Sequence, residues 1–507
     1  MGPDTHRRPD DDASGNTAEL TRVMTGIEGL DEILGGGLLR GHVYVVEGDA
    51  GTGKTTLALQ FLLDGRAHNE SCLIVTTNET RDDLTTTAHS HGWSLLGIEV
   101  LELSLADAIA QPEQQQTVFR PSQVELHETM RVVHAELERV QPARVVLDSM
   151  STLRDMVDQP FTYRRYVLSL RNTLVTRGCT VLITDELLEP SNLHLRTLVH
   201  GVIRLQREVT LYGNQRRQVE IVKMRGMNFR SGRHDMLIET GGLRVFPRFM
   251  DEPHHTGYTR ESLSTGVEQL DTLLGGGLDR GTSTLLIGTT GTGKSSVAMQ
   301  CVVAALQRRQ NAAVYLFGER PTTWFHRAEQ LGFNLPQEVA NGNLFVQQIN
   351  PAEMSPAQFA HELQQAITQR GVQLIIIDSL TGYVNAMPDE RFLTLHLHEL
   401  LTWLGQHGVT PLLVLDHHGL FEPTTRPPLD LSYLTDTVLF FRYFEYQGVV
   451  RRALSVVKRR SGPHENTPRE LTLGPNGIVV SAPLRQFRGV FTGLPTYEGD
   501  AASDQPR

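Results

Sequence analysis

Gly48-Asp49-Ala50-Gly51-Thr52-Gly53-Lys54-Thr55 and Gly288-Thr289-Thr290-Gly291-Thr292-Gly293-Lys294-Ser295 both read G-x-x-x-x-G-K-[ST], the pattern of a phosphate-binding loop. The glycines let the backbone wrap closely enough to aim its N–H groups at phosphate oxygens. Lys54 and Lys294 offer a cation to the β and γ phosphates of ATP, and the Thr55 and Ser295 hydroxyls are placed to hold Mg2+. Thr52 and Thr56, with Thr290, Thr292 and Ser296, complete the two expected ATP-binding sets. Each loop sits between an apolar, strand-like run (residues 43–46 and 283–287) and a helix-like one (56–63 and 296–300). One match could be chance in a glycine-rich loop; two in equivalent places are not.

The duplication extends beyond the loops. Thr25-Gly26-Ile27-Glu28-Gly29-Leu30-Asp31 and Gly35-Gly36-Gly37-Leu38 return as Thr265-Gly266-Val267-Glu268-Gln269-Leu270-Asp271 and Gly275-Gly276-Gly277-Leu278. Thr25 and Thr265 are 240 residues apart, as are Gly53 and Gly293. That period is far too long for a solenoid and marks two whole domains. Within each, short apolar runs (73–77, 143–147 and 180–184; 313–317, 374–377 and 412–415) alternate with helical patterns such as 132–138 and 166–175. Continuous apolar strands alternating with helices predict an α/β fold, two tandem domains each with a mostly parallel sheet flanked by helices. Nucleotide then binds at the carboxyl ends of the strands. The expected division is a disordered tail over 1–22, a first domain over 23–247, a linker over 248–262 containing Pro253, His254 and His255, a second domain over 263–485, and a C-terminal segment and tail over 486–507.

Composition narrows the function classes. The chain has 507 residues and a net charge of -11, which argues against nucleic-acid binding by the whole surface. Cys72, Cys179 and Cys301 lie far apart and form no metal-ligand spacing. No signal peptide or membrane-spanning run is present, so the expected location is the cytoplasm.

A nucleotide site needs a carboxylate at a strand end to anchor the Mg2+ shell. Asp148 and Asp378, each followed by serine after an apolar run, stand in that place; a turn-starting aspartate is the alternative. Hydrolysis needs a group to orient or deprotonate the attacking water. Glu79 and Glu319, again 240 residues apart, are the candidates, against a plain surface glutamate in a turn. Lys223 and Arg225, like Lys458 and Arg460, fall at i and i+2 on strand patterns and so share a face. Each pair reads as a finger reaching a γ-phosphate of a neighbouring subunit, or as a solvated strand face. His396 and His398 do not share a helix face and make a poor metal site; His417 and His418 fit a polar loop.

From Met24 to Thr496 these features resemble the KaiC family, the double RecA-like ATPases and autokinases of the cyanobacterial clock. The likeness is carried by the paired loops, Lys223-Met224-Arg225-Gly226, Thr435-Asp436-Thr437 and the segment Phe491-Thr492-Gly493-Leu494-Pro495-Thr496. It implies a homohexamer with ATP between subunits, slow hydrolysis in the first ring, and phosphoryl transfer to hydroxyls in the second. The family's phosphoacceptors map to Ser432 and Tyr433, a tyrosine standing where the family has threonine; a serine capping the turn before the next strand is the alternative. The first domain has Arg196 and Thr197 at about this place. Asn78 and Gly318 replace the first of two glutamates that the family carries, which predicts weakened autokinase activity in the second domain. The resemblance leaves a KaiB-like partner open, and the short tail after Thr496 argues against a KaiA-like activator. Two other readings stand beside this one: an ATP-assembled signalling scaffold without kinase activity, and a DNA-dependent RecA-class ATPase. No basic, aromatic-bearing loop of the kind that binds single strands favours the latter.

Overall fold

The computed structural model describes residues 21–103, 121–155, 160–187, 194–208, 214–249, 261–385, 390–416, 431–490 and 496–497. The tail over 1–20, most of the linker with Pro253, His254 and His255, the His417–His418 pair and residues 491–495 lie outside these. Contacts divide the chain into two compact units that change over between Pro247 and Arg248. Regular structure begins at Arg22, paired with Leu39, and resumes at Ser262, paired with Asp279.

In the first lobe the strands are β1 (Val43–Gly48), β2 (Cys72–Thr76), β3 (Glu99–Glu102), β4 (Arg144–Asp148), β5 (Thr180–Asp185), β6 (Gly201–Glu208), β7 (Arg216–Met224), β8 (Arg233–Glu239) and β9 (Gly242–Phe246). They form one sheet in the order β9-β8-β7-β6-β1-β5-β4-β2-β3. Pairing is parallel from β3 to β6 and antiparallel from β6 to β9. The second lobe repeats this with β10 (Thr284–Gly288), β11 (Asn311–Leu316), β12 (Leu344–Gln348), β13 (Val372–Asp378), β14 (Thr410–Asp416), β15 (Thr437–Tyr446), β16 (Val449–Arg459), β17 (Arg469–Gly474) and β18 (Gly477–Pro483). Their order is β12-β11-β13-β14-β10-β15-β16-β17-β18. Both sheets place the strand that feeds the phosphate loop fifth of nine, one strand in from the edge of the parallel part.

The continuous apolar runs become strands because both faces are covered. Tyr44 and Val46 pack with Leu57 and Phe61 of helix α1 (Lys54–Ala67). Val43 and Val45 face the opposite way, towards Leu137 of α2 (Pro121–Val140) and Leu170 of α3 (Pro160–Thr176). Each fully buried Val or Leu is worth about 1.5–3 kcal/mol, so the central strands are the most strongly fixed part of each lobe. The Thr-Gly-x-x-x-Leu-Asp repeats tie the chain entering each lobe. Asp31 Oδ1 accepts from the Thr25 amide at 2.8 Å, and Asp271 Oδ1 from the Thr265 amide at 2.7 Å. Burial pushes the Asp31 carboxyl up to about 6, against the pull of those bonds from Thr25.

Candidate functional site

The two loops are built alike. Gly53 and Gly293 have φ of 102° and 98°, left-handed values that favour glycine, and each precedes the first residue of a helix: α1 in one lobe, α4 (Lys294–Gln307) in the other. A Cβ on Gly48 would lie 2.4 Å from the Leu205 carbonyl oxygen, and one on Gly288 2.1 Å from that of Phe441. The glycines opening the motif are therefore demanded by the neighbouring strand as well as by a phosphate. Lys54 Nζ donates to the Gly48 and Asp49 carbonyls at 2.8 and 3.0 Å, folded back over its own loop. Lys294 Nζ does the same to Gly288 and Thr289, both at 2.8 Å, and also meets Asp416 Oδ1 at 2.9 Å. Thr52 and Thr292 are buried and brace the loops from within, their hydroxyls donating to Asp49 and Thr289 carbonyls at 2.8 and 2.7 Å. Thr56 and Ser296 are buried in the first helical turn, and Thr290 donates to Asp416 at 3.4 Å.

The strand-end aspartates come to the loop hydroxyls. Thr55 Oγ1 donates to Asp148 Oδ2 at 3.1 Å, and Thr184 donates to the other oxygen. Ser295 bonds Asp378, whose Oδ2 is buried with no hydrogen-bond partner. Burial raises the Asp378 carboxyl, opposed by Ser295 and by the Arg327 cation. A hydroxyl beside a buried carboxylate with an unused lone pair is the oxygen donor set that Mg2+ takes with a nucleotide, so Thr55 with Asp148 and Ser295 with Asp378 fit that ion. In both lobes the peptide after the aspartate is cis.

Glu79 and Glu319 end the turns after β2 and β11, but their surroundings differ. Glu79 is half-buried beside Thr55, and its Oε2 has no partner. Burial raises its pKa, with Asp148 and Asp83 adding to the effect. The turn is held by a capping box, Thr80 Oγ1 accepting from the Asp83 amide at 3.1 Å and Asp83 Oδ2 from the Thr80 amide at 3.0 Å. Glu319 instead lies in a fork with Arg327, at 3.0 Å from Nη1 and 2.7 Å from Nη2. Asn78, beside Glu79, is drawn to the Asp148 side by Thr152 and Ser149, at 2.5 and 3.3 Å. Gly318 is exposed, and a Cβ built there meets nothing within 4 Å.

The Lys-x-Arg pairs hold one short segment in each lobe. Lys223 Nζ donates to the Arg196 and Val199 carbonyls at 2.6 and 2.8 Å, and Arg225 to that of Thr197 at 3.2 Å. Lys458 Nζ donates to the Ser432 and Thr435 carbonyls at 2.5 and 2.6 Å, and Arg460 to that of Tyr433 at 2.5 Å. The same bonds thus place Arg196 opposite Ser432 and Thr197 opposite Tyr433, whose side chain is exposed. Both pairs follow a β-bulge: Val202 pairs Lys223 while Ile203 pairs Ile221, and Val438 pairs Lys458 while Leu439 pairs Val456. Val222 and Val457 are the extra residues, and both side chains are exposed. Of the discounted histidines, His396 Nδ1 is bonded to the Tyr383 hydroxyl at 2.8 Å.

Several charged groups around the sites escaped the sequence reading. Arg217 and Arg452 reach over the loops to the Gly51 and Gly291 carbonyls at 3.4 and 3.2 Å. Glu47, the last residue before the first motif, is fully buried, with Arg196 at 2.7 Å and Arg204 at 2.8 Å. Asp185, its partner in register on β5, is also fully buried and meets Arg154 at 3.3 Å. The signal was a charge inside an apolar run, Val43-Tyr44-Val45-Val46-Glu47, which a strand pattern absorbs without comment.

Comparison with known proteins agrees with this duplication. A family model described as "ATPase: KaiC" matches twice, over residues 23–249 and 263–485. The chain is 27% identical to a circadian clock oscillator protein KaiC of Acaryochloris marina over 494 residues, covering 95% of this chain and 92% of the relative. It is 26% identical to the KaiC of Picosynechococcus sp., covering 96% and 95%, and 26% identical to KaiC 1 of Synechocystis sp., covering 96% and 94%.

Proposed function

Since the chain belongs to the KaiC family of ATPases, with two tandem RecA-like P-loop domains, we propose that it works as a homohexamer that hydrolyses ATP chiefly in the first lobe and phosphorylates itself weakly on Ser432 in the second, in a timing or signalling role. The observation that carries the division of labour is the contrast between Glu79, with a free carboxylate oxygen beside Thr55, and Glu319, whose oxygens are both taken by Arg327. In the first lobe Lys54 and the loop amides hold the phosphates, and Glu79 accepts the proton of the attacking water. Thr55 and Asp148 would hold Mg2+, which when bound would supply charge neutralisation at the phosphate oxygens. Burial makes Glu79 a stronger base than an ordinary glutamate, which favours that step near neutral pH. Lys223 and Arg225 supply cations to a neighbouring subunit's γ-phosphate, exchanging their bonds to residues 196–199 for bonds to phosphate.

In the second lobe Ser432 opens the turn clamped by Lys458 and Arg460. Phosphate there would add about 1.5 to 2 negative charges beside two cations, enough to rearrange that clamp. Incubation with labelled ATP and peptide mass spectrometry is the test: phosphate on Ser432 is expected, raised in Gly318→Glu, where a side chain has room. No phosphate on Ser432 or Tyr433 in either protein would leave only the ATPase, and would favour the scaffold reading of the second lobe. The resemblance leaves a KaiB-like partner of the first lobe open. No helix among the described residues is long and apolar enough to cross a membrane.

A further inference from the structure

Arg327 lies on the helix Pro321–Gln330, eight residues after Glu319, and closes on it as a two-point fork. The corresponding first-lobe helix, Arg81–Ser90, has Thr87 in that position, and Glu79 keeps an oxygen with no partner. The fork is not a loose surface pair. Arg327 Nε is buried and unpartnered, and the guanidinium also acts on the buried Asp378 carboxylate. The cation thus acts on both Glu319 and Asp378 of the second site.

The chemistry gives this geometry a consequence. When an oxygen attacks the γ-phosphorus, the new O–P bond forms as the bond to the bridging oxygen breaks. ADP leaves with that electron pair, and the attacker's proton passes to a carboxylate oxygen. The acceptor must therefore turn a lone pair to the attacker. A bidentate guanidinium occupies one lone pair on each oxygen and fixes the plane of the carboxylate. We propose that Arg327 is a positioning residue that holds Glu319 out of the reaction, so that the second lobe binds ATP but turns it over slowly. Threonine at the matching place leaves the first lobe without this restraint. The inference rests on reading Glu319 as the second lobe's proton acceptor.

The test uses the full chain with first-lobe hydrolysis removed by Glu79→Gln, so that the remaining turnover belongs to the second site. In that background Arg327→Thr is expected to raise turnover by about 10-fold or more, up to the roughly 10²- to 10⁴-fold that a general base supplies, with KM for ATP changed by less than about twofold. Adding Glu319→Gln should abolish the gain. Arg327→Lys keeps the charge but not the fork, and should fall between parent and Arg327→Thr. It also provides a readable variant if the threonine protein folds poorly. The pH–rate profile of Arg327→Thr should gain an acid limb that Glu319→Gln lacks, which a purely structural change would not produce. Turnover that stays level or falls in both Arg327 variants, with a fluorescent ATP analogue still bound, would overturn the proposal. So would a gain that survives Glu319→Gln, which overturns Arg327's action through Glu319 while leaving the ATPase reading intact. Bound ATP with no turnover in any variant, Glu79-containing parent included, would overturn both together.

Discussion

At the carboxyl ends of β1 and β5 the first lobe buries Glu47 beside Asp185; at the same two places the second lobe has Ile287 and Leu415. The partners change in step. Arg196, Arg204 and Arg154 in the first lobe correspond to Ser432, Phe440 and Val384 in the second. A third exchange lies at the other end of the sheet. Arg144, nearly fully buried on β4, bonds Asp64 and Glu70, whereas Leu374 occupies that register position on β13. At these positions one fold therefore tolerates two sets of residues, one ionic and one mainly apolar, each exchanged as a whole. Buried pairs roughly break even against apolar replacements, but a lone survivor of a pair is expensive. The exchange also changes the position that precedes the turn: where Arg196 is engaged with Glu47, the second lobe has the small side chain of Ser432.

The comparison can be broken in several places. The largest effect expected is in turnover. Glu79→Gln should lower first-lobe ATP hydrolysis by about 10²- to 10⁴-fold in a phosphate-release assay and leave nucleotide binding in place. Glu319→Gln in the parent should change total turnover little, because Arg327 already occupies that carboxylate. Equal losses from the two variants would remove the functional difference between the lobes.

Next comes stability. Arg196→Ala leaves Glu47 buried with Arg204 alone, and should cost the first lobe up to about 3–5 kcal/mol in denaturant titration followed by Trp93 fluorescence. The triple variant Glu47→Ile, Arg196→Ser, Arg204→Phe copies the second lobe's set and should recover most of that loss. If the triple variant is worse than Arg196→Ala, the two interiors are not exchangeable.

A smaller effect concerns pH. Burial pushes Asp185 up to about 6 from its ordinary 3.8, opposed by Arg154. The folded state then holds this proton better than the unfolded chain does. Its contribution is fully present below about pH 4 and is lost as pH rises through 6, on the order of 1 kcal/mol per pH unit between them. Asp185→Asn should flatten that part of the first lobe's stability–pH curve. A curve identical to the parent's between pH 4 and 6 would show that Arg154 holds the carboxylate charged throughout. The smallest effect is Gly318→Glu, which should leave the melting temperature nearly unchanged, since the site is exposed and open.

The loops, the aspartates and the doubling were legible in the sequence because they rest on strict local demands. Only glycine takes φ near 100° ahead of Lys54 and Lys294, and only a small residue lies against Leu205 or Phe441. The features that separate the lobes rest on pairings between distant residues. Glu47 and Arg196 are 149 residues apart, and neither has a local pattern that names the other. Arg144 and Glu47 sit inside runs whose neighbours are apolar, so a strand reading was right for the backbone and silent on the charge. The fork between Glu319 and Arg327 needs the turn and helix entry to be known before an eight-residue separation becomes a contact. Sequence spacing put Lys223 with Arg225, and Lys458 with Arg460, on one strand face, but the strands end at Met224 and Arg459, so each arginine falls just beyond its strand, and the bulge before each lysine left no mark in the spacing.

That bulge stores an aim in the count of backbone residues. The side chain of Val222 does not touch the bonds made by Lys223, yet the presence of its three backbone atoms decides which way Lys223 points. The same holds for Val457 and Lys458. Such information is robust to spelling and fragile to length: many residues can stand at Val222, but removing it reverses the facing of everything after it up to the next irregularity. Change at the finger pairs is therefore cheap by substitution and abrupt by deletion.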